Sequence, residues 1–239
     1  MCHSFTICSY QELERALREM SEDADAALPK DMHAGGIAYP GTFAPVMLAI
    51  SEHEALQGCD ADAMGSGPDG RLFPISMLEL GFGWPVEWKK GTVFNARLES
   101  LLSDSGMWAG ALSERRCIVP CESFFESHME ETSISPRTGK PVKRRYSFAS
   151  PDGGPLFLGA VYEGDFFSIV TTAPNADVAP VHDRMPLVLS VEEARLWIDP
   201  STPMADISRL GDRSGIELKV LPEGKAVPAD GAPEQLPLL

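Results

Sequence analysis

Residues 145–172 read RYSFASPDGGPLFLGAVYEGDFFSIVTT, three runs rich in aromatic and β-branched residues that are separated by PDGG and GD. Gly, Pro and Asp at such short breaks are typical of turns between strands. The stretch therefore predicts an antiparallel meander of three strands in the second half of the chain.

Helix patterns lie mainly outside this β-rich region. Ser9 with Glu12, and Ser190 with Glu193, have the spacing of capping boxes that begin helices. Strand and helix patterns do not alternate regularly, which disfavours a parallel sheet wound with helices. We therefore predict an α+β fold: a single domain with an antiparallel or mixed, barrel-like β-sheet core and peripheral helices.

The stretches around the meander set the expected boundaries. RRCIVP and SFFES, between residues 115 and 127, predict two strands or one bent strand. Residues 128–145 are polar and rich in strand breakers, so they predict a mobile loop. We assign residues 1–222 to the domain and residues 223–239 to an extended, Pro-rich C-terminal tail.

Charge restricts the possible partners. The chain of 239 residues carries a net charge of −15, which disfavours generic nucleic-acid binding because phosphate contacts need basic side chains. The distribution is uneven, however, since residues 86–145 hold ten Lys and Arg against eight Asp and Glu. A bound polyanion is therefore expected at the surface built by this segment.

Other sequence features restrict location and cofactors. No stretch reaches the roughly 18 apolar residues of a membrane span, and the N-terminus lacks the layout of a signal peptide, so we expect a cytoplasmic protein without membrane association. The five cysteines include no CxxC pair and the five histidines no HExxH pair, so we expect no disulfide framework, metal site or cofactor. We also expect a monomer.

Four separated stretches carry the candidate chemistry: MC at residues 1–2, FNARLES at 94–100, RRCIVPCESFFES at 115–127 and TTAPNADVAPVHDRMPLVLS at 171–190. In this order and spacing they resemble the SRAP family, the SOS-response-associated peptidases. HDRMP is the most specific part of the resemblance. The resemblance implies a mixed α/β domain with a positively charged cleft for single-stranded DNA, in which the N-terminal cysteine links covalently to abasic sites.

The resemblance suggests four candidate catalytic residues, Cys2, Asn95, Glu126 and His182. Removal of Met1 would give Cys2 a free α-amine beside its thiol, and such an aminothiol condenses with an aldehyde to a thiazolidine ring. Glu126 follows two phenylalanines, and burial beside aromatic rings would raise its pKa toward a range useful for proton transfer. A histidine such as His182 can donate a proton as the sugar ring opens. The amide of Asn95 can orient the amine or the sugar hydroxyls.

The candidate DNA-binding residues have structural alternatives. Arg97 suits a bidentate phosphate contact, or it pairs with Glu99. Arg184 follows His182 and either contacts DNA or holds the local backbone. Aromatic rings can stack on bases, which favours a role for Trp84. The full set is Trp84, Arg97, Thr171, Thr172 and Arg184, with Asn175 expected in the same cleft floor as the two threonines.

The chain departs from the family pattern near the expected cleft. His3 and Ser4 replace a Gly-Arg pair after the cysteine, and Ser127 replaces a tryptophan. These positions would otherwise supply a phosphate contact and an aromatic surface for bases.

Three functions remain open, and whether the protein is an enzyme is left open with them. In the first, the protein senses and shields abasic sites in single-stranded DNA through a thiazolidine crosslink at Cys2. In the second, it is a cysteine-nucleophile peptidase or hydrolase, acting on its own Met1–Cys2 bond or on another substrate, with Glu126 or His182 as base. In the third, it is a diverged binding protein that keeps the fold without DNA activity. We favour the first.

Overall fold

The computed structural model describes residues 2–21, 28–50, 62–67, 70–86, 91–213, 215–224 and 226–227. Within these residues the helices are α1 (Tyr10–Met20), α2 (Leu98–Leu102), α3 (Ala111–Glu114), α4 (Val191–Ile198) and α5 (Met204–Arg209), with a 3₁₀ turn at Gly106–Trp108. The strands are β1 (Ser4–Ile7), β2 (Ile37–Ala38), β3 (Phe43–Ala49), β4 (Ala63–Ser66), β5 (Leu72–Phe82), β6 (Trp84–Pro85), β7 (Thr92–Val93), β8 (Asn95–Arg97), β9 (Arg116–Ile134), β10 (Pro141–Ala149), β11 (Leu156–Glu163), β12 (Phe166–Thr172), β13 (Met185–Pro186), β14 (Val188–Leu189), β15 (Lys219–Pro222) and β16 (Ala226–Val227).

Strands of the main sheet close into a ring. Hydrogen-bonded ladders join β11 to β12, β12 to β5, β5 to β3, β3 to β9, and β9 back to β11. The β12–β5 ladder is parallel and the others are antiparallel, so the predicted α+β fold with a mixed sheet is confirmed. The β12–β5 and β3–β9 ladders comprise only two and one residue pairs, so the sheet is a ring of strands and not a strict barrel.

The three runs of residues 145–172 form β10, β11 and β12, but only β11 and β12 make a hairpin. β10 and β11 follow one another along the same edge of β9, where Ala149 pairs with Ser123 and Leu156 with Cys121. The PDGG segment therefore interrupts the pairing with β9, and the chain then continues along β9 in the same direction. The predicted meander was wrong at its first turn because β9, at 19 residues, is long enough to pair with both runs.

Residues 128–145 do not form the predicted mobile loop. β9 is one continuous strand as far as Ile134, and β10 pairs with it from Pro141, so the two strands form a hairpin arm. The pairing register shifts between Lys143 and Arg145. Much of the arm is exposed on both faces, so polar residues occupy both, which removes the alternation by which a strand is recognised in sequence.

β9 separates two hydrophobic cores because successive side chains of a strand point to opposite faces. Cys117 and Val119 lie in one core, and Ile118 lies in the other. The core containing Ile118 also holds the fully buried Leu17 of α1 and Trp197 of α4. Burial of a large apolar side chain stabilises the fold by about 1.5–3 kcal/mol, so this face of the sheet retains the peripheral helices.

Both predicted capping boxes are present. The Ser9 N–H donates to Glu12 Oε2 at 2.9 Å and the Glu12 N–H to Ser9 Oγ at 3.4 Å. Ser190 and Glu193 make the same exchange at 2.9 and 3.2 Å. An N-cap contributes about 1 kcal/mol, and here it begins α1 directly after β1, which anchors the N-terminal strand.

The C-terminal boundary at residue 222 stays a prediction. Beyond it, Ala226 and Val227 pair with Ser133 and Thr132 of β9. The rest of the predicted tail, from residue 228, lies outside the described residues. Among the helices described, none is both long enough and apolar enough to cross a membrane.

Candidate active site

Antiparallel pairing of β1 with β9 brings the N-terminus to Glu126. Ser4 pairs with Phe125 and Phe5 with Phe124, so the chain before Ser4 runs alongside the residues that follow Phe125. Cys2 is fully buried and Glu126 is 2% exposed. Two residues far apart in the chain therefore meet at the end of a sheet ladder.

Burial gives Glu126 an unusual pKa. Loss of hydration disfavours the charged carboxylate and raises its pKa to about 7, although the positive charge of the amino terminus opposes the shift. A carboxyl group that is half-protonated near neutral pH can both accept and release a proton. The predicted burial and the direction of the pKa shift are confirmed.

His182 faces this carboxyl group. Its Nε2 lies 4.0 Å from Glu126 Oε2, and its Nδ1 accepts a hydrogen bond from the Arg184 N–H at 3.1 Å. The same Nδ1 also lies 3.0 Å from Asp183 Oδ1, so it has both a hydrogen-bond donor and an acceptor beside it. Burial and the charge of the amino terminus lower the pKa of His182, while Asp183 offsets part of the effect. The neutral imidazole is therefore favoured over the charged form.

The turn before His182 is built by Asn175. Asn175 Oδ1 accepts from the Val178 N–H at 3.0 Å, and its Nδ2 donates to the Ile216 carbonyl at 2.7 Å. The side chain is buried. Asn175 thus supports the segment that carries His182 and does not face the pocket.

Asn95 binds the backbone of the candidate nucleophile. Its Nδ2 donates to the Cys2 carbonyl at 2.8 Å. Parallel pairing of β8 with β12, Asn95 beside Ile169, holds the amide in this position. Asn95 Oδ1 is buried and has no hydrogen-bond partner among the residues that the structure describes. It is therefore an available acceptor next to Cys2.

The Cys2 thiol is held in its protonated form. Its pKa is raised well above the ordinary value, first by burial and then by the negative charge of Glu126. The Sγ atom lies 3.6 Å from the Ser4 carbonyl, to which it donates. A buried thiol in this environment is a poor source of thiolate at neutral pH.

A small pocket opens at this cluster. Its volume is about 90 Å³, and its lining consists of His3, Ser4, Phe125, Glu126, Ser127, Arg145 and His182. Sequence reasoning missed His3 and Arg145. Arg145 belongs to the locally basic segment, which could have indicated it, whereas His3 carries no signal beyond its position after Cys2.

The arginines predicted to bind DNA differ in their availability. Arg184 donates to both carboxylate oxygens of Glu99, at 2.7 and 2.9 Å, and to the Thr171 carbonyl at 2.7 Å. This ion pair, above all, holds the pKa of Glu99 below its ordinary value. Arg97 is exposed, and its charge contributes to the same lowering. Arg184 therefore serves the local structure, and Arg97 faces solvent.

The remaining predicted DNA-binding residues lie at different depths. Thr171 and Thr172 are buried, and Thr172 Oγ1 donates to the Gly211 carbonyl at 2.8 Å. Trp84 is half-buried and packs edge to face against Trp108 at 5.3 Å between ring centroids. In the described ranges, no three His, Cys, Asp or Glu side chains are grouped so that they could hold a metal ion.

Known proteins resemble this chain in sequence and in fold. It is 30% identical over 154 residues to the abasic site processing protein YoqW of Bacillus subtilis, an alignment that covers 58% of this chain and 63% of YoqW. It is 28% identical over 208 residues to the abasic site processing protein YedK of Escherichia coli, covering 83% and 79% of the two chains. The crystal structure of a phage-related protein from Bordetella bronchiseptica superposes with a TM-score of 0.60 and 22% identity, covering 92% of this chain and 93% of the phage-related protein. The family model described as SOS response associated peptidase (SRAP) matches residues 2–227, and the chain belongs to this family.

Proposed function

We propose that this protein senses abasic sites in single-stranded DNA and shields them by forming a covalent thiazolidine crosslink through Cys2. The observation that carries the proposal is a small pocket lined by Glu126 and His182, with Cys2 buried close to Glu126 and bound through its carbonyl by Asn95. Its relatives YoqW and YedK are named abasic site processing proteins, which supports the same substrate here.

The chemistry requires the α-amine of Cys2, so Met1 must first be removed. The amine adds to the carbonyl carbon of the ring-opened sugar, and loss of one water gives an imine. The thiol then forms a C–S bond to the imine carbon, and its proton goes to the nitrogen. The raised pKa of Cys2 suits this order, because the thiol stays protonated until the imine exists.

Glu126 is the proton carrier of this sequence. With a pKa of about 7 it can accept the proton of the ammonium form and return it to the hydroxyl group that leaves as water. His182, which lines the pocket, donates a proton to the sugar oxygen as the ring opens. Asn95 holds the Cys2 backbone, and its Oδ1 accepts from the new amine or from a sugar hydroxyl.

The strand is held by the surface around the pocket. Arg97 contacts a phosphate directly, and Trp84 offers an aromatic surface near the strand. The buried Thr171 and Thr172 do not contact the strand. The Thr171 carbonyl accepts a hydrogen bond from Arg184, and the Thr172 hydroxyl donates to the Gly211 carbonyl, so both support the surface indirectly. We propose a monomer acting on single-stranded DNA in the cytoplasm, with residues 1–222 as the domain.

A hydrolase is less well supported by the same site. A cysteine peptidase attacks as a thiolate, whereas burial and Glu126 both oppose ionisation of Cys2. The thiol is suited to add to an imine and not to act as a free nucleophile toward a peptide.

The test is adduct formation with a single strand that carries one abasic site. Purified protein whose N-terminus is shown by mass spectrometry to begin at Cys2 should give an adduct that survives denaturation. Without a reductant, neither Cys2→Ala nor Cys2→Ser should give a stable adduct, whereas borohydride reduction should trap a product with both variants, because each retains the α-amine and lacks the thiol. A denaturant-stable adduct of Cys2→Ala formed without a reductant would contradict the proposal.

A further inference from the structure

Three aromatic rings are grouped beside the pocket, and one of them, His3, lines it. His3 is exposed, and its ring packs edge to face against Tyr39 at 6.0 Å and against Phe94 at 6.1 Å between centroids. Tyr39 is 39% exposed and Phe94 is partly exposed. We call these three residues the ring cluster.

The ring cluster is held in place by the core beneath it. Pairing of β1 with β2, Phe5 beside Ala38, sets His3 next to Tyr39. Phe94 packs at 6.0 Å against the fully buried Phe82. The rings are therefore positioned before a ligand arrives, and little conformational entropy is lost when one binds.

An arginine fixes the position of Tyr39 beside the pocket. Arg145 lines the pocket, interacts with the Tyr39 hydroxyl and stacks its guanidinium over the Phe125 ring at 4.1 Å. It also binds both carboxylate oxygens of Glu223, at 2.6 and 3.3 Å, so its charge is offset as that of Arg184 is by Glu99. The exposed rings therefore suit a ligand with a flat aromatic part.

The proposed reaction separates the abasic sugar from the neighbouring base. Glu126 and His182, the groups proposed to act on the aldehyde, line the pocket, so the reacting carbon of the sugar lies there. The base attached to the next sugar then lies outside the reacting position, where the exposed ring of His3 is available to it.

We propose that His3, Tyr39 and Phe94 form a stacking platform for the nucleobase next to the abasic sugar. This inference rests on the proposed function. Stacking is tolerant of base identity because every base has a π-face, so the platform binds the strand without reading its sequence.

The experiment separates binding from crosslinking. The probe is a single strand with a tetrahydrofuran abasic analogue, which has no aldehyde, and with fluorescent 2-aminopurine as the neighbouring base. The full-length protein should bind it and quench the fluorescence. Loss of one stacking ring, in His3→Ala or Tyr39→Ala, should weaken binding by about 5- to 150-fold and reduce the quenching.

Matched variants distinguish stacking from other causes. His3→Phe and Tyr39→Phe keep the rings, so they should retain both binding and quenching. Leu72→Ala removes an exposed apolar side chain from β5, which does not line the pocket, and should bind as the wild type does. Circular dichroism of every variant should confirm that it is folded.

Several results would overturn the platform. Unchanged affinity of His3→Ala and Tyr39→Ala, absence of quenching in the wild type, or loss of binding in both phenylalanine variants would each exclude stacking. Crosslinking to an aldehyde-containing strand is measured in parallel. If the wild type crosslinks to this strand while His3→Ala and Tyr39→Ala bind the analogue normally, the platform is refuted and the proposed function stands.

Discussion

Two glutamates interact with the same segment, residues 182–184, and differ in burial and in partner. Glu126 is 2% exposed and faces His182, with a pKa raised to about 7 by burial. The side chain of Glu99 is 63% exposed and binds Arg184, which lowers its pKa. The same side chain is thus suited to proton transfer in one place and to an ion pair in the other, because burial opposes its charge and an arginine favours it.

The largest expected effect is on crosslinking by Glu126→Gln. Removal of a general acid–base group typically costs 10²- to 10⁴-fold, so we expect adduct formation to slow by at least about 100-fold at pH 7. In the wild type the rate should rise as pH increases through about 7, where Glu126 loses its proton. Single-turnover rates across the neutral range, on both sides of this pKa, measure this. A mutant profile with the same inflection would assign that inflection to another group.

The next largest effect is on stability, where Glu126→Gln is expected to be favourable although it slows the reaction. The pKa of Glu126 is about 7 in the folded protein against an ordinary value of 4.5, so folded protein loses stability as pH rises through this window. Glu126→Gln avoids that loss and should be more stable than the wild type by up to about 3 kcal/mol at about pH 8, with little difference at about pH 4. Urea unfolding at both pH values measures it. His182 and the amino terminus titrate in both proteins, so only the difference between them is assigned to Glu126.

Arg184→Ala tests the anchoring side of the comparison. The variant loses the bonds to Glu99 and to the Thr171 carbonyl, so we expect destabilisation of about 1–3 kcal/mol. Folded protein should still crosslink within a few-fold of the wild-type rate, because the bond that orients His182 comes from the backbone N–H. Thermal denaturation and adduct rates below the melting temperature are the measurements. A rate as low as that of Glu126→Gln would give Arg184 a direct role in the chemistry.

The smallest effect is expected for Glu99→Gln. An exposed ion pair contributes about 0–1 kcal/mol and is screened by salt, so stability should fall by less than about 1 kcal/mol. The adduct rate should not change. Parallel unfolding and crosslinking assays in low and high salt check both points, and a slowed reaction would mean that the two glutamates are not separated as described.

Much of the site was predictable because its residue types have few alternatives. A cysteine able to expose its α-amine, a glutamate in an aromatic run and the histidine of HDRMP are recognisable by type and order. Glu126 and His182 line one pocket, and Cys2 is buried close to Glu126. His3 and Arg145 were missed because neither belongs to a motif. The burial of Thr171 and Thr172 was missed because depth depends on what packs above a strand.

The fold, like the site, has features that could be predicted from the sequence and features that could not. Capping boxes and the β11–β12 hairpin involve residues close in the chain, so local patterns predicted them. The route of β9 was not predictable, because its polar outer half lacks alternation and gains its strand conformation from pairing with β10 and β16.

The sequence by itself determined the residue types, their order, the α+β class and the resemblance to the SRAP family, since composition, short-range patterns and motifs carry these. The tertiary structure decided that Cys2 meets Glu126, that Arg184 is committed to Glu99, and that Tyr39 and Phe94 pack against His3 beside the pocket. The physical reason is that each of these contacts depends on the register of strands far apart in the chain, and burial, which sets the pKa of Glu126, exists only after those strands have paired.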